Sequence, residues 1–451
     1  MLISFSFGNF LSFRDKMVLS MDPSKSTRFN NHLISASKGG LNLLKCAVIY
    51  GANASGKSNL VKAFAFFKFF VTVGTKNEKS KIPPVFFLLD EKSKNFPSRF
   101  EIEIKLKNKS YAYGFTFVNA VFKEEWLYDI STKSEKLIFF RKTNDQGQTF
   151  IDFKNIKFKS PEEKKFLDFT AKGTRGNLLF LTECINRNVL NNVPGIEVIK
   201  NVYDWIANDL KIIFPDSKYK GIEFELMDNK NVKNSYEELL KRFDTYIDSI
   251  NMVEVNFDDE LRDIPDEVKN KIRDDIEINT SAIISSSDHT TYFIKKESSG
   301  NIRAHKLITQ HKISKTEIVD FEVSDESDGT QRILDFIPMI LDFKNSQRTF
   351  IIDELDRSLH TNLSYEIINL LLNEFTQSKS QIILTTHDTG LLSQELLRKD
   401  EIWFVKRGKN KSSELYSLDE FKPRFDKDIR KDYLDGRYGA IPNFPNQIIN
   451  G

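Results

Sequence analysis

The chain has 451 residues, 40% of them apolar, which suffices for two or three ordinary domains with large cores and excludes disorder over most of its length. Its 66 basic and 64 acidic side chains leave a net charge of +2, so no overall field attracts nucleic acid or a membrane surface, and such a partner has to be met by a local patch. Two cysteines, Cys46 and Cys184, exclude a disulfide framework and a cysteine-rich zinc site and fit a reducing cytoplasm, while the six histidines show no ligand spacing.

The stretch Met1 to Phe13 has no positive charge before Arg14 and no small-residue cleavage site, so a secretory signal is not expected. Within it, apolar residues mixed with small polar ones around Gly8-Asn9 predict two short strands joined by a tight turn over Ile3 to Phe13. Leu44 to Tyr50 is apolar and bounded by glycine, as a buried parallel strand should be, and it feeds a helix from about Lys57 to Phe70. The apolar run Ala63 to Val73 contains Lys68 and is about half the roughly 20 residues that a spanning helix needs, so no membrane is expected as a partner. Phe100, Ile102, Ile104 and Leu106 alternate strictly with charges, and Tyr111 to Phe117 and Val121 to Tyr128 continue the pattern. Residues 84–153 are therefore expected to form an antiparallel β lobe. The 39 phenylalanines read as packing for such sheets.

From 154 to 320 the chain turns polar, lysine-rich and acidic, with helix-like spacing in Ser235 to Ile250 and Asp266 to Ile276, which predicts a mainly helical insert. No uninterrupted heptads run through it, so a long coiled-coil arm is not expected. An α/β pattern returns over 321–451: Thr330 to Phe343 as an amphipathic helix, Thr349 to Ile352 as a buried strand, Leu363 to Phe375 as a helix, and Gln381 to Thr385 and Ile402 to Val405 as strands. Residues 1–83 and 321–451 thus read as two parts of one interrupted α/β head.

The strongest motif is Gly51-Ala52-Asn53-Ala54-Ser55-Gly56-Lys57-Ser58, a complete G-x-x-x-x-G-K-S loop between a buried strand and a helix, followed by Asn59. Gly51 and Gly56 permit the tight turn, the N–H groups of the loop and helix start cradle phosphates, Lys57 reaches the β and γ groups, and Ser58 ligates magnesium. Phe350-Ile351-Ile352-Asp353-Glu354 ends a strand in two carboxylates; in a phosphate-loop NTPase the first holds hydrated magnesium and the second polarises the attacking water. Alone, that pair could equally be a helix cap or two solvated acids. Ser327-Asp328-Gly329-Thr330-Gln331-Arg332 opens a helix, either as an ordinary cap or as a second phosphate cradle. Thr385-Thr386-His387 puts a histidine at the carboxyl end of a strand, where open α/β sheets bind ligands, although a lone histidine there is usually structural.

Phosphate loop, long insert, serine-glycine helix start, Asp-Glu strand and histidine strand, in that order, resemble the ABC-type ATPase head in its SMC-like branch. The resemblance implies ATP and Mg2+ as cofactors, a signature motif at Ser327, Asp328, Gly329 and Thr330, a D-loop at Leu355-Asp356, and His387 as the switch histidine that senses γ-phosphate. It also implies that the signature of one head completes the site of another, so that ATP joins a homodimer or higher homo-oligomer. Asn9-Phe10-Leu11-Ser12-Phe13, Leu355-Asp356-Arg357-Ser358-Leu359-His360 and Gly436-Arg437-Tyr438-Gly439-Ala440-Ile441-Pro442 are similar to the compact RloA-like ATPases of bacterial anti-phage and abortive-infection systems, including those of the PARIS and AbiL types. This similarity implies an ATP-hydrolysing switch, a sensing or scaffolding subunit that controls a separate effector, nuclease or toxin, encoded nearby. One departure is that the family's Q-loop glutamine follows the first helix, whereas the first glutamine here is Gln146.

Two other functions compete. A nuclease of the overcoming-lysogenisation type would need a metal-binding Toprim domain after His387, where Asp426, Asp428, Asp432 and Asp435 are interleaved with Lys427, Arg430 and Lys431 as in a solvated charged face. A DNA-repair or chromosome-organising ATPase would use long coiled-coil arms. DNA contact through Lys406, Arg407, Lys409 and Lys411 competes with the reading of those residues as a lysine-rich β-turn.

Overall fold

The computed structural model describes residues 1–35, 41–80, 82–144, 146–217, 229–261, 264–278, 280–285, 291–425 and 427–441. The chain divides into two compact units, the first made of Met1–Pro215, Ser346–Arg357 and Ile367–Gly451, the second of Asp216–Asn345 and Ser358–Glu366.

Two sheets sandwich one helix in the first unit. The site-bearing sheet has the strand order Leu210–Ile213, Thr349–Ile352, Gln381–Thr385, Cys46–Tyr50, Ile402–Arg407 and Ser413–Ser417. Its first five strands are parallel, and the last returns antiparallel as a hairpin. Cys46–Tyr50 and Thr349–Ile352 are wholly buried, as their unbroken apolar sequences require of inner parallel strands.

The other sheet is antiparallel and seven-stranded: Thr149–Phe153, Lys136–Thr143, Val121–Asp129, Lys109–Val118, Ser98–Leu106, Leu2–Gly8 and Met17–Ser20. The β lobe expected over 84–153 is thus continuous with the N-terminal strands. Leu2–Gly8 pairs with Met17–Ser20, not with a strand inside Phe13; between Phe10 and Phe13 there is only a single bridge closing a tight turn.

Between the sheets lies the helix Lys57–Thr72, whose buried apolar residues, Leu60, Phe64, Phe67 and Val71 among them, are its core contacts. Phe5 stacks on Phe64 with centroids 3.9 Å apart, and Phe67 stacks on Phe115 at 5.5 Å. Much of the phenylalanine content is accounted for here, since large rings fill the gap between two sheets at little entropic cost. Lys68, the charge inside this run, donates from Nζ to the Leu210 carbonyl at 2.6 Å, and burial lowers its pKa to about 8.

In the span 154–320 the helices Pro161–Gly173, Phe180–Asn186 and Glu197–Asp204 lie in the first unit, and Lys230–Arg242 and Asp266–Asp275 in the second. Beside its helices the second unit holds an antiparallel sheet that the helix-like spacing does not predict. In the second unit Ser249–Val255, Ile302–Lys312, Thr291–Lys296 and Ser281–Ser285 form an antiparallel sheet in that order, with Ile318–Glu322 also paired to Ile302–Lys312. Ser235 to Ile250 splits into the helix Lys230–Arg242 and the start of the first of these strands, while Asp266–Asp275 is helical. The pattern misleads because both faces carry charge: Lys306 lies on the core-facing side of its strand and is neutralised by Glu260 at 3.2 Å and Glu322 at 2.8 Å. The core on that side is Phe257, Leu261, Ile276, Tyr292, Ile294 and Ala304. Lys230–Arg242 docks on Asp328–Asn345 through a 2.6 Å bond from the Tyr236 hydroxyl to the Leu334 carbonyl. At 18 residues, Asp328–Asn345 is the longest helix among the described residues, and none of them is long and apolar enough to cross a membrane.

Candidate nucleotide site

Three neighbouring parallel strands end at one edge of the sheet, where open α/β folds gather ligands. Cys46–Tyr50 runs into the Gly51–Gly56 loop, Gln381–Thr385 into His387, and Thr349–Ile352 into Asp353 and Glu354. The loop is set by close approach. A Cβ on Gly51 would lie 2.3 Å from the Val405 carbonyl oxygen; Gly56, at φ +118°, would place one 2.4 Å from Ser413 Oγ. Both positions therefore need glycine.

Asp353 is buried at the centre of this edge. The strand carrying it does not touch the loop's strand, since Gln381–Thr385 intervenes. Thr385 spans that gap: its hydroxyl donates to Asp353 Oδ1 at 2.6 Å and accepts the Glu354 N–H at 2.9 Å. From the other side the Ser58 hydroxyl donates to the same Oδ1 at 3.3 Å. Ser58 Oγ and Asp353 thus present adjacent oxygens, the donor set a hard divalent cation takes. Glu354 sits in the left-handed region at φ 51°, as does Ala54 in the loop at φ 60°; such conformations in non-glycine residues cluster at functional sites.

Lys57 is almost fully buried, and its Nζ donates to the carbonyls of Gly51 at 2.8 Å and Ala52 at 3.3 Å. Burial lowers its pKa to about 8, against the opposing pull of Asp353, Glu354 and Asp356. His387 Nδ1 lies 3.5 Å from Lys57 Nζ, and the His387 pKa is lowered, first by burial and then by the Lys57 charge. Asp356 accepts the His387 N–H, at 3.2 Å for the closer oxygen. Ser55 Oγ is buried with no hydrogen-bond partner among the described residues. That orphan, the buried lysine and the N–H groups of the first helical turn, which have no acceptor within the helix, fit a polyphosphate. The residues that would hold ATP are those of the loop, Asn53 to Asn59, with Mg2+ at Ser58 and Asp353.

Ser12, within the N-terminal stretch Asn9 to Phe13, supports the loop. It accepts from Asn59 Nδ2 at 2.9 Å and lies 2.8 Å from Ser413 Oγ, which also reaches the Ser55 carbonyl. Asn9 fixes this turn from behind, donating to the carbonyls of Ser93 at 2.9 Å and Phe96 at 2.8 Å. Tyr438, from the C-terminal stretch, stacks on Phe404 beside Tyr433. Pro442 lies outside the described residues. Sequence reasoning gave no role to Thr385 or Ser413; the first had a signal in its place at a strand end before His387, whereas the second is an unmarked serine in a distant hairpin.

Ser327 and Gly329 stand in the second unit. Ser327 Oγ accepts the Thr330 N–H at 3.2 Å, so it caps Asp328–Asn345 while remaining exposed, and Gly329 is tight against the Ser358 carbonyl, 3.0 Å from where a Cβ would stand. Gln146 lies in an exposed turn between Lys136–Thr143 and Thr149–Phe153. Lys406 pairs with Glu414 at 3.3 Å, and Gly408 to Lys411 close a hairpin turn, the plainer of the two readings of that basic run. Asp428 caps Ile429–Leu434 and Asp432 pairs with Arg437 at 2.8 Å; Asp426 is outside the described residues, among which no group of three or more His, Cys, Asp or Glu could hold a metal.

Topology and site together define a phosphate-loop α/β ATPase head of the ABC type. More particularly, the chain belongs to the family described as AAA domain, putative AbiEii toxin, Type IV TA system, whose match spans residues 46–393. No curated protein sequence matches it. Among solved structures it is similar to an SMC head bound to the C-winged helix domain of ScpA, at 13% identity and TM-score 0.40 over 94% of this chain and 99% of that one. An SMC head domain from Thermotoga maritima gives 11% and 0.36 over 92% and 98%. An Smc head with an extended coiled coil, bound to the C-terminal domain of ScpA and derived from Pyrococcus furiosus, gives 13% and 0.38 over 94% and 99%. Likeness at this level adds nothing to the topology already described.

Proposed function

We propose that this chain is a cytoplasmic ATP-hydrolysing switch that pairs head to head when ATP is bound and controls a separate effector, a nuclease or toxin, in a bacterial anti-phage or abortive-infection system of the RloA-like kind. The observation that carries the reading is the hydrogen-bonded chain from Ser58 through Asp353 and Thr385 to the Glu354 backbone, which ties the magnesium ligands to the residue that would activate water. Lys57 and the loop N–H groups would bind the phosphates, His387 would read the γ-phosphate, and Asp356 would hold His387 in place through its backbone. In a paired state Ser327 and the N–H groups after Gly329 would reach the nucleotide held by the other copy. The family description, with its toxin and Type IV TA terms, supports the defence setting.

Glu354→Gln tests the reading. It keeps size and hydrogen bonding but removes the charge, so turnover should fall by about 100-fold or more while ATP still binds. Light scattering should then find the variant more associated with ATP than without it. Unchanged ATP turnover would remove Glu354 from the mechanism.

A further inference from the structure

We propose that the second compact unit carries its own binding site for a phosphorylated ligand of nucleotide size. The site is a cavity of about 600 Å³ on the face of the antiparallel sheet opposite its core, closed on one side by the helix Lys230–Arg242. Among the described residues its walls carry Lys230, Lys233, Lys295, Arg303 and His305, with the carboxylate of Glu297. Ile250, Met252 and Leu307 supply an apolar floor.

Register shows that this charge is gathered against the interest of the fold. Lys295 stands directly opposite Arg303 on the neighbouring strand, and like charges in that position destabilise a sheet. Arg303 is partly compensated, by Glu297 at 2.8 Å and Glu254 at 3.7 Å, and Lys233 by Glu237 at 3.8 Å, while also donating to Asn251 Oδ1 at 2.6 Å. Lys230 and Lys295 make no ion pair among the described residues. His305 Nδ1 is buried with no hydrogen-bond partner among them, and its pKa is lowered by burial, with Arg303 and Lys295 adding to the effect against Glu254. An anion would relieve the repulsion between Lys295 and Arg303.

Size and lining select the ligand. A volume of this order suits a small molecule and not a nucleic-acid duplex. Lysines and an arginine beside an apolar floor match phosphates joined to a base and sugar. The same chemistry is offered by a free nucleotide and by the 5′ end of a strand.

Binding of ATP to full-length Lys57→Ala, in which the phosphate loop is disabled, is measured by titration calorimetry. One saturable site should remain. Adding Lys230→Ala and Lys295→Ala should weaken it by at least about tenfold, because each substitution takes away one charge-assisted hydrogen bond to phosphate. Lys409→Ala, an exposed lysine on the first unit's hairpin, should leave it unchanged. Thermal melting checks that each variant is folded, and removing Lys295 should if anything raise the midpoint. Competition by a 5′-phosphorylated dinucleotide and by a 5′-phosphorylated 12-mer separates the two sources: both compete if a strand end is accepted, the dinucleotide alone if the ligand is free. No binding of ATP or dinucleotide to Lys57→Ala, binding indifferent to Lys230 and Lys295, or equal competition by poly-glutamate would each overturn the site. The phosphate-loop reading fails separately, if Lys57→Ala binds as many ATP molecules as the parent.

Discussion

Thr385 gives its hydroxyl proton to Asp353 and takes the Glu354 N–H, so one side chain sets both the orientation of a buried carboxylate and the backbone of its neighbour. Replacing it with valine preserves the branched shape that the buried strand needs but leaves Asp353 with only the longer bond from Ser58. Thr385→Val should lower ATP turnover by roughly 10- to 100-fold, as loss of a partner behind a metal ligand does, with Thr385→Ser recovering most of it. Steady-state kinetics and circular dichroism together check this; equal turnover in Thr385→Val would show that the bond is only structural. Lys57 makes a prediction about pH. Its pKa near 8 reflects burial without a sufficient counter-charge, and phosphate binding supplies that charge, so the bound pKa must be higher than the free one. Binding then takes up a proton wherever the free lysine is partly neutral. Through the Lys57 charge, ATP affinity should fall as pH rises through 8. Calorimetry at about pH 8.5 in two buffers of different ionisation heat should report proton uptake by the parent protein, and no uptake at that pH would show that Lys57 does not gain its proton on binding.

At the scale of elements, buried charge joins pieces that hydrophobic burial alone would leave free to slide. Glu125, on the strand Val121–Asp129, accepts from the Tyr113 hydroxyl at 2.9 Å, from the N–H groups of Phe180 at 2.6 Å and Leu181 at 2.9 Å, and from Arg141 Nη1 at 3.3 Å. It thereby caps the helix Phe180–Asn186 from within the sheet. Glu125→Ala strands a buried guanidinium and two helix N–H groups and should cost about 3–5 kcal/mol in urea unfolding, while Glu125→Gln, which can still accept, should cost less. Little of this is legible in the sequence. Strands that alternate cleanly, such as Ser98–Leu106, and inner parallel strands such as Cys46–Tyr50 announce themselves because one physical pattern governs each. Ile302–Lys312 does not: Arg303, His305 and Leu307 share one face and Ala304, Lys306 and Ile308 the other, so neither face reads as a core. The same limit applies at the site. Gly51 to Ser58 and Asp353-Glu354 are local in sequence and legible there, whereas Thr385, Ser12 and Ser413 act across strand pairings that only the folded sheet creates.

On the scale of the whole molecule, the residues proposed for one reaction are divided between two compact units, with Lys57, Asp353, Glu354 and His387 in the first and Ser327 and Gly329 in the second. Ser327 keeps an exposed cap at the start of a long helix, where backbone N–H groups and the helix dipole favour an anion. If that cap serves the nucleotide of another copy, defects at Lys57 and at Ser327 fall in different sites of a mixed pair. Lys57→Ala should lose ATP binding at the phosphate loop, and Ser327→Arg should keep it there in the monomer but lose ATP-dependent pairing and hydrolysis. In a symmetric pair of one copy of each, one site carries both defects and the other neither. Random mixing of equal amounts makes half the pairs mixed, so activity should return to at most about a quarter of the parent value. The double variant Lys57→Ala/Ser327→Arg, mixed with the parent chain, is the control: mixed pairs then have one defect in each site and should contribute nothing. Two inactive proteins that stay inactive, despite mixed pairing demonstrated by co-purification of differently tagged copies, would place Ser327 outside the shared site.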